Sequence, residues 1–169
     1  MPWCVRKCPY CDFNSHAVPD GQLSMDLERQ YLEALVADFE TQVEMAQGRS
    51  IHSVFIGGGT PSLISAQGYQ WLFDQLKARL KFEENCEITL EANPGTVEHD
   101  PFADYLAVGI NRLSLGVQSF DPEHLQRLGR IHSANNALDA IQQARQAGFE
   151  RVNVDLMHGL PQQTEEQAL

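Results

Sequence analysis

Positive charge is scarce in this chain: its 169 residues carry 12 Lys and Arg against 23 Asp and Glu, a net charge of −11. Gripping a phosphate backbone takes clustered Lys and Arg. No basic stripe occurs, so a nucleic-acid partner is not expected. Long apolar runs are missing too. None approaches the ~20 residues that cross a bilayer, and no charged-then-apolar leader opens the sequence. The pattern G-x-G-x-x-G, the dinucleotide fingerprint, is absent. Nor is there a second cysteine pair of the kind structural zinc sites use. Three of the four cysteines, Cys4, Cys8 and Cys11, fall in the first eleven residues, and Cys86 stands alone. Close spacing in an intracellular protein favours metal binding over disulfides. The expected location is the cytosol, with transient visits to a membrane compatible with this composition.

The cysteines that are present carry most of the information. C-x3-C-x2-C offers three thiolates from one short loop, which suits an iron–sulfur cluster. A [4Fe–4S] cluster held by three cysteines leaves one iron free to bind something else, and an open iron is a site for chemistry. Zinc, with Asp12 or His16 as the fourth ligand, is the alternative. Trp3, Tyr10 and Phe13 are expected to shield a cluster from water.

Behind the loop, Leu27, Tyr31, Leu35, Phe39 and Val43 mark an amphipathic helix closed near Gly48. Ser53–Ile56 reads as a buried strand ending at Gly57-Gly-Gly-Thr-Pro-Ser62. A second helix carries Tyr69, Leu72, Phe73, Leu76 and Leu80 on one face, and Glu87–Leu90 is the next strand. Asp100 and Pro101 predict an N-cap and first helical position. Then come the strand Arg112–Leu115, a helical segment from Pro122 to Leu128, a helix capped by Ser133, and the strand Arg151–Asp155. The segments Ala107–Leu115 and Gln146–Val154 echo each other at an offset of 39 residues. Each is a helix end, a glycine turn and a strand. Strands alternating with helices imply an α/β fold with a parallel sheet. The strands read as nearly all apolar, as if buried on both faces. A doubly wound sheet and a (β/α) barrel both fit. Met1-Pro2-Trp3 leaves no room for a strand ahead of the cysteines. Glu165–Leu169 reads as a helix cut short, so both ends suggest part of a longer protein.

The unusual residues cluster just past strand carboxyl ends, where barrel enzymes build their sites. Consecutive glycines at 57–59 let backbone approach a ligand closely, although a tight turn explains them equally well. Glu91 ends an apolar strand, where an unpaired carboxylate is costly. It should face a ligand's hydroxyls or a cation, or else pair with an Arg or Lys. For Gln118, Arg130 and Asp155, a structural hydrogen bond and a ligand contact are both open. His132 and His158 lie near the rim as candidates for proton handling. His16, His52, His99 and His124 are expected on loops or helix surfaces, and Cys86 is a small structural residue.

The cysteine loop followed by GGGTPS resembles the radical S-adenosylmethionine (SAM) superfamily. In that superfamily the open iron binds the amino and carboxylate groups of SAM, and electron transfer from the cluster yields a 5′-deoxyadenosyl radical. The wider pattern narrows the resemblance. It comprises Pro2-Trp-Cys4, Cys8-Pro-Tyr-Cys11-Asp-Phe-Asn-Ser-His16, Glu91-Ala-Asn-Pro-Gly95, Gly116-Val-Gln-Ser-Phe120, Arg127-Leu-Gly-Arg-Ile-His132 and Asp155-Leu-Met-His-Gly-Leu-Pro161. Together these are similar to the haem chaperones related to oxygen-independent coproporphyrinogen III oxidases. The oxidases carry a further cysteine two residues after the third ligand, where this chain has Phe13.

The resemblance implies a partial (β/α) barrel of radical SAM type, truncated at both ends. Residues 1–169 would then be an incomplete radical SAM core domain lacking its first strand and its C-terminal part. It implies a [4Fe–4S] cluster on Cys4, Cys8 and Cys11 and SAM lined by Gly58, Gly59, Thr60 and Glu91. Tyr10, Gln118, Arg130 and Asp155 match residues that contact a second SAM in the oxidases. It also implies haem as cargo, bound outside this stretch and delivered to recipient haemoproteins such as respiratory enzymes. The alternative it carries is oxidative decarboxylation of coproporphyrinogen in porphyrin biosynthesis.

Overall fold

Parallel strands alternating with helices build the chain, as the internal echo predicts. The computed structural model describes residues 1–18, 21–95 and 99–168. Its elements are β1 (Trp3–Cys4), β2 (His16–Ala17), α1 (Met25–Gln42), β3 (Ile51–Ile56), α2 (Ala66–Lys77), β4 (Phe82–Ala92), α3 (Phe102–Ala107), β5 (Arg112–Gln118), α4 (Pro122–Arg127), α5 (Ala134–Gln146), β6 (Arg151–Leu156) and α6 (Glu165–Ala168). The helix begun at Glu165 ends, among the described residues, at Ala168; Leu169 lies outside them.

The main sheet runs β3-β4-β5-β6 with every neighbour parallel. Strand order follows chain order without reversal, whereas a doubly wound sheet needs a switch point where the order turns back. The sheet is therefore an arc of a barrel wound in one direction. Among the described strands no such switch point occurs, which favours the barrel of the two topologies.

One expectation about the strands needs correcting. They are not apolar on both faces; along β4, β5 and β6 apolar and polar residues alternate. Val54, Ile56, Ile88, Leu90, Leu113, Leu115, Val152 and Val154 belong to the hydrophobic core. On β4, β5 and β6 the intervening positions form a polar concave face, where Arg112 Nη1 donates to Thr89 Oγ1 (3.3 Å) and Arg151 Nη1 to Glu87 Oε2 (3.1 Å). Thr89 and Ser114 on this face are buried, and polar side chains suit it because they bond to one another and to the charged residues at its ends. Only the convex side, covered by helices, needs apolar residues.

Two local readings also change. Pro101 is the N-cap of α3, and Asp100 instead accepts from the Ala66 amide at 2.7 Å, tying α3's approach to the start of α2. His124 is not on a surface; α4 turns it inward to 2% exposure. The cap at Ser133 forms as expected: its hydroxyl accepts from the Asn136 amide while Asn136 answers the Ser133 amide. Ser133→Ala should cost about 1 kcal/mol, which thermal melts would register as a drop of about 2–4 °C.

Ahead of the cysteine loop, the first residues find a place the sequence did not suggest. Trp3–Cys4 forms a two-residue strand parallel to His16–Ala17. The Gly59 amide donates to the Met1 carbonyl and the Thr60 amide to the Trp3 carbonyl, both at 2.6 Å. The loop carrying Cys8 and Cys11 is thus closed at its base by β1 and β2 and seated on the rim beyond β3.

Candidate functional site

An open cleft with a cavity volume of about 200 Å³ lies over the carboxyl ends of the strands. Its walls include Cys4, Cys8, Cys11, Tyr10, Gly58, Gly59, Thr60, Glu91, Gln118, Arg130 and Asp155. The eleven residues expected at the cluster and SAM sites therefore meet at one place, although they come from six separate segments.

Register explains how the carboxylates arrive there. Glu91 on β4 pairs with Ser114 on β5, which pairs with Asn153 on β6. These three share the concave face, with Asp155 one step further along. Asp155 is held firmly: Ser114 Oγ donates to its Oδ2 at 3.1 Å and Asn153 Nδ2 to its Oδ1 at 2.7 Å. Glu91 Oε2 accepts from the Gly58 amide at 3.2 Å. No Arg or Lys forms a salt bridge with Glu91 among the described residues. Burial raises the Glu91 carboxyl above the usual glutamate range. The Gly58 N–H partly offsets this, and the nearby Asp155 charge adds to it.

Gln118 stands where β5 slips register against β6, with φ at +69°. A left-handed backbone is uncommon for a non-glycine residue, and such strain concentrates at functional sites. Arg130 follows α4 and reaches back across the rim. Its Nη2 donates to Asn93 Oδ1 and to the Gly116 carbonyl, both at 2.6 Å, and its Nη1 to Cys8 Sγ at 3.4 Å. Tyr10 lies between them. Burial raises its phenol, the Arg130 charge opposes this, and the Cys8 sulfur adds to it.

The glycine loop behaves differently from a bare ligand cradle. Its Gly58, Gly59 and Thr60 amides are engaged by Glu91, Met1 and Trp3. What the glycines admit is the segment leading to Cys4, and they line the cleft with backbone alone. Ser114, Asn153 and Gly116 are the functional neighbours that sequence reasoning missed. Strict alternation along β5 and β6 was the signal for them. Trp3 faces away from the cleft, edge-on to Tyr31 at 4.9 Å, and Phe13 on the cleft wall is 58% exposed. His132 is buried with Nε2 3.0 Å from the Val117 carbonyl, and burial lowers its pKa. His158 is exposed.

The cysteines can be tested against both metals proposed for them. No three His, Cys, Asp or Glu side chains among the described residues converge on one ion position. A single tetrahedral zinc needs that convergence. A four-iron cluster does not, because each thiolate holds its own iron. Cys4 is buried and Cys8 and Cys11 are half-buried on the same cleft wall, all free thiols. That donor set fits a cluster.

The sequence model of the radical SAM superfamily matches residues 1–169, and the chain belongs to that superfamily. Within it, the heme chaperone HemW of Haemophilus influenzae is 52% identical over 169 residues, covering 100% of this chain and 44% of that protein. The heme chaperone HemW of Escherichia coli is 53% identical with the same coverage. Coproporphyrinogen III oxidase HemN from E. coli, a radical SAM enzyme, superposes with a TM-score of 0.83 at 30% identity, covering 99% of this chain and 38% of that one. The chain thus spans less than half the length of the curated relatives it matches.

Proposed function

We propose that residues 1–169 are the cluster- and SAM-binding core of a longer haem chaperone, incomplete as a domain on their own. The convergence of three cysteines, two half-buried carboxylates and a glycine loop on one cleft carries this reading. Identity above 50% to heme chaperones over the whole chain supports chaperone over oxidase. Cys4, Cys8 and Cys11 hold a [4Fe–4S] cluster and leave one iron for SAM. Held by these three thiolates, the cluster would supply one-electron chemistry to SAM.

The chain's own part is to position and shield. Gly58 and Gly59 form a wall without side-chain bulk, continued by Thr60, against which the nucleotide would lie. Glu91, fixed by the Gly58 amide, turns its free carboxylate oxygen to ligand hydroxyls or a cationic group. Asp155, oriented by Ser114 and Asn153, presents a second carboxylate across the cleft. Tyr10, Gln118 and Arg130 close the side nearest the cysteines. Haem is the cargo, carried by parts of the longer protein and passed to haemoproteins such as respiratory enzymes. No helix among the described residues is long and apolar enough to cross a membrane, and we place the protein in the cytosol with transient membrane contact.

Anaerobic reconstitution tests the reading. The chain should take up about four irons with matching sulfide, and its electron paramagnetic resonance signal should change on adding SAM. Zinc retained without iron, or a cluster indifferent to SAM, would sink the proposal. The longer protein should bind haem and leave coproporphyrinogen III unconverted under anaerobic conditions with SAM and a reductant. Likeness to HemN favours the oxidase as the second reading, and formation of protoporphyrinogen in that assay would establish it.

A further inference from the structure

We infer that Arg130 governs how readily the cluster is reduced, by donating a hydrogen bond from its guanidinium to the sulfur of Cys8. The inference rests on the cluster reading above. Cys8 and Arg130 are 122 residues apart, yet the contact is built in from three sides. Nη2 is anchored twice, to Asn93 Oδ1 beyond β4 and to the Gly116 carbonyl on β5, both at 2.6 Å. These anchors fix the plane of the guanidinium, and Nη1 then meets Cys8 Sγ at 3.4 Å.

Two glycines keep the arrangement open. A Cβ on Gly116 would stand 2.9 Å from Asn93 Oδ1 and 3.6 Å from Arg130 Nη2. A Cβ on Gly129, beside Arg130, would stand 2.7 Å from Cδ of Pro9. Gly129 also has φ at +67°, so only glycine suits that position. Pro9 follows Cys8 directly, so this contact sets the height of the cysteine above the arginine. A lysine could not replace the fork, because it offers a point charge without a plane that serves two anchors and a sulfur together. Arg130 Nε is buried with no partner among the described residues, so one donor of the guanidinium is left over. A negatively charged thiolate cluster supplies what it lacks.

The sign of the effect follows from charge. Reduction transfers one electron from an external donor to the cluster; no bond forms or breaks, and the cluster becomes more negative by one unit. A fixed cation and an N–H donor at a ligand sulfur stabilise the more negative state, so they raise the potential. Removing them lowers it.

The test uses Arg130→Gln, Arg130→Lys and Asn93→Ala in the reconstituted chain, with dithionite-poised redox titration, resonance Raman spectroscopy and SAM affinity measured on each. Arg130→Gln should make reduction about tenfold less favourable, a shift of about 59 mV to the negative side for one electron. Its iron–cysteine stretching bands should move up in frequency as the donor leaves. Arg130→Lys should fall between, and Asn93→Ala, which only loosens the anchor, should shift the potential by less in the same direction. It serves in place of Arg130→Gln if that variant loads no iron. Loaded variants with unchanged potentials and Raman bands would overturn the inference, even if SAM affinity fell. Wild-type chain that takes up no iron would overturn the functional reading beneath it instead.

Discussion

Replacing Gly59 by alanine should strip the cluster from the chain while leaving all three cysteines in place. A Cβ there would overlap the Trp3 carbonyl, standing 2.7 Å from its carbon and 3.0 Å from the Trp3 nitrogen. Those are backbone atoms, which no rotamer change can move aside. They are also pinned, because the Thr60 amide donates to the Trp3 carbonyl and the Gly59 amide to the Met1 carbonyl. Giving up two such bonds costs about 1 kcal/mol each, and relieving overlap in a packed site about 1–3 kcal/mol more. Detachment of this segment displaces Cys4, the next residue, so a three-point site becomes a two-point one. Iron per chain should fall to about a tenth of wild type or less. Helical ellipticity should fall only slightly, because α2 and α5 pack on the main sheet away from residues 1–4 and α1 loses chiefly the Trp3–Tyr31 ring contact. Gly48→Ala is the control. Gly48 has φ at +76° with nothing within 4 Å of a Cβ, so alanine there is strained but unobstructed and should keep its iron. Wild-type iron in Gly59→Ala would show that the glycine loop does not seat the cysteine segment.

This also explains why the site was readable in outline and not in its wiring. Helix periodicity, caps and the repeated glycine turn are local signals. They located α2, α5, β5 and β6 to within a few residues and put Glu91, Gln118 and Asp155 at strand ends. Whether the strands wind one way or two is a choice about neighbours, and no residue within a strand records it. The polar concave face was written in Glu87-Ile-Thr-Leu-Glu91 and Arg151-Val-Asn-Val-Asp155 as clean alternation. Short apolar stretches masked it. Asp100 illustrates the opposite failure. Its local pattern says helix cap, and a tertiary partner, the Ala66 amide, outbids it. The glycine run was correctly a mark of close approach, but the approaching backbone is the chain's own first residues. Arg130 meeting Cys8 depends on Pro9 against Gly129 and on the Gly116 carbonyl and Asn93 that anchor the guanidinium. These contacts join segments far apart in sequence and exist only in the folded chain.

Glu91→Gln should weaken SAM binding by about 10–150-fold and yet raise the melting temperature at neutral pH. The first effect is the loss of a carboxylate hydrogen bond, about 1.5–3 kcal/mol for a charged partner. Equilibrium dialysis of the reconstituted protein would measure it. The second follows from the burial that raises the Glu91 pKa, reinforced by Asp155 and only partly offset by the Gly58 N–H. A carboxyl whose folded pKa exceeds its unfolded one binds its proton more tightly when folded. Folding is therefore favoured most in acid, below the ordinary glutamate value. That advantage fades as pH rises through the raised folded value, and above it the destabilisation is complete and constant. Glutamine keeps an oxygen for the Gly58 amide and never ionises. Variant and wild type should thus melt together in acid, diverge across that window in the variant's favour, and then run parallel. Half-exposure of the group keeps the divergence small, because solvent screens it. A gap that is the same at every pH would mean that the gain came from packing and not from an unpaired charge. A charge kept at this position against stability makes sense only if something arrives to use it, and the two measurements together separate that demand from simple tolerance of a costly residue.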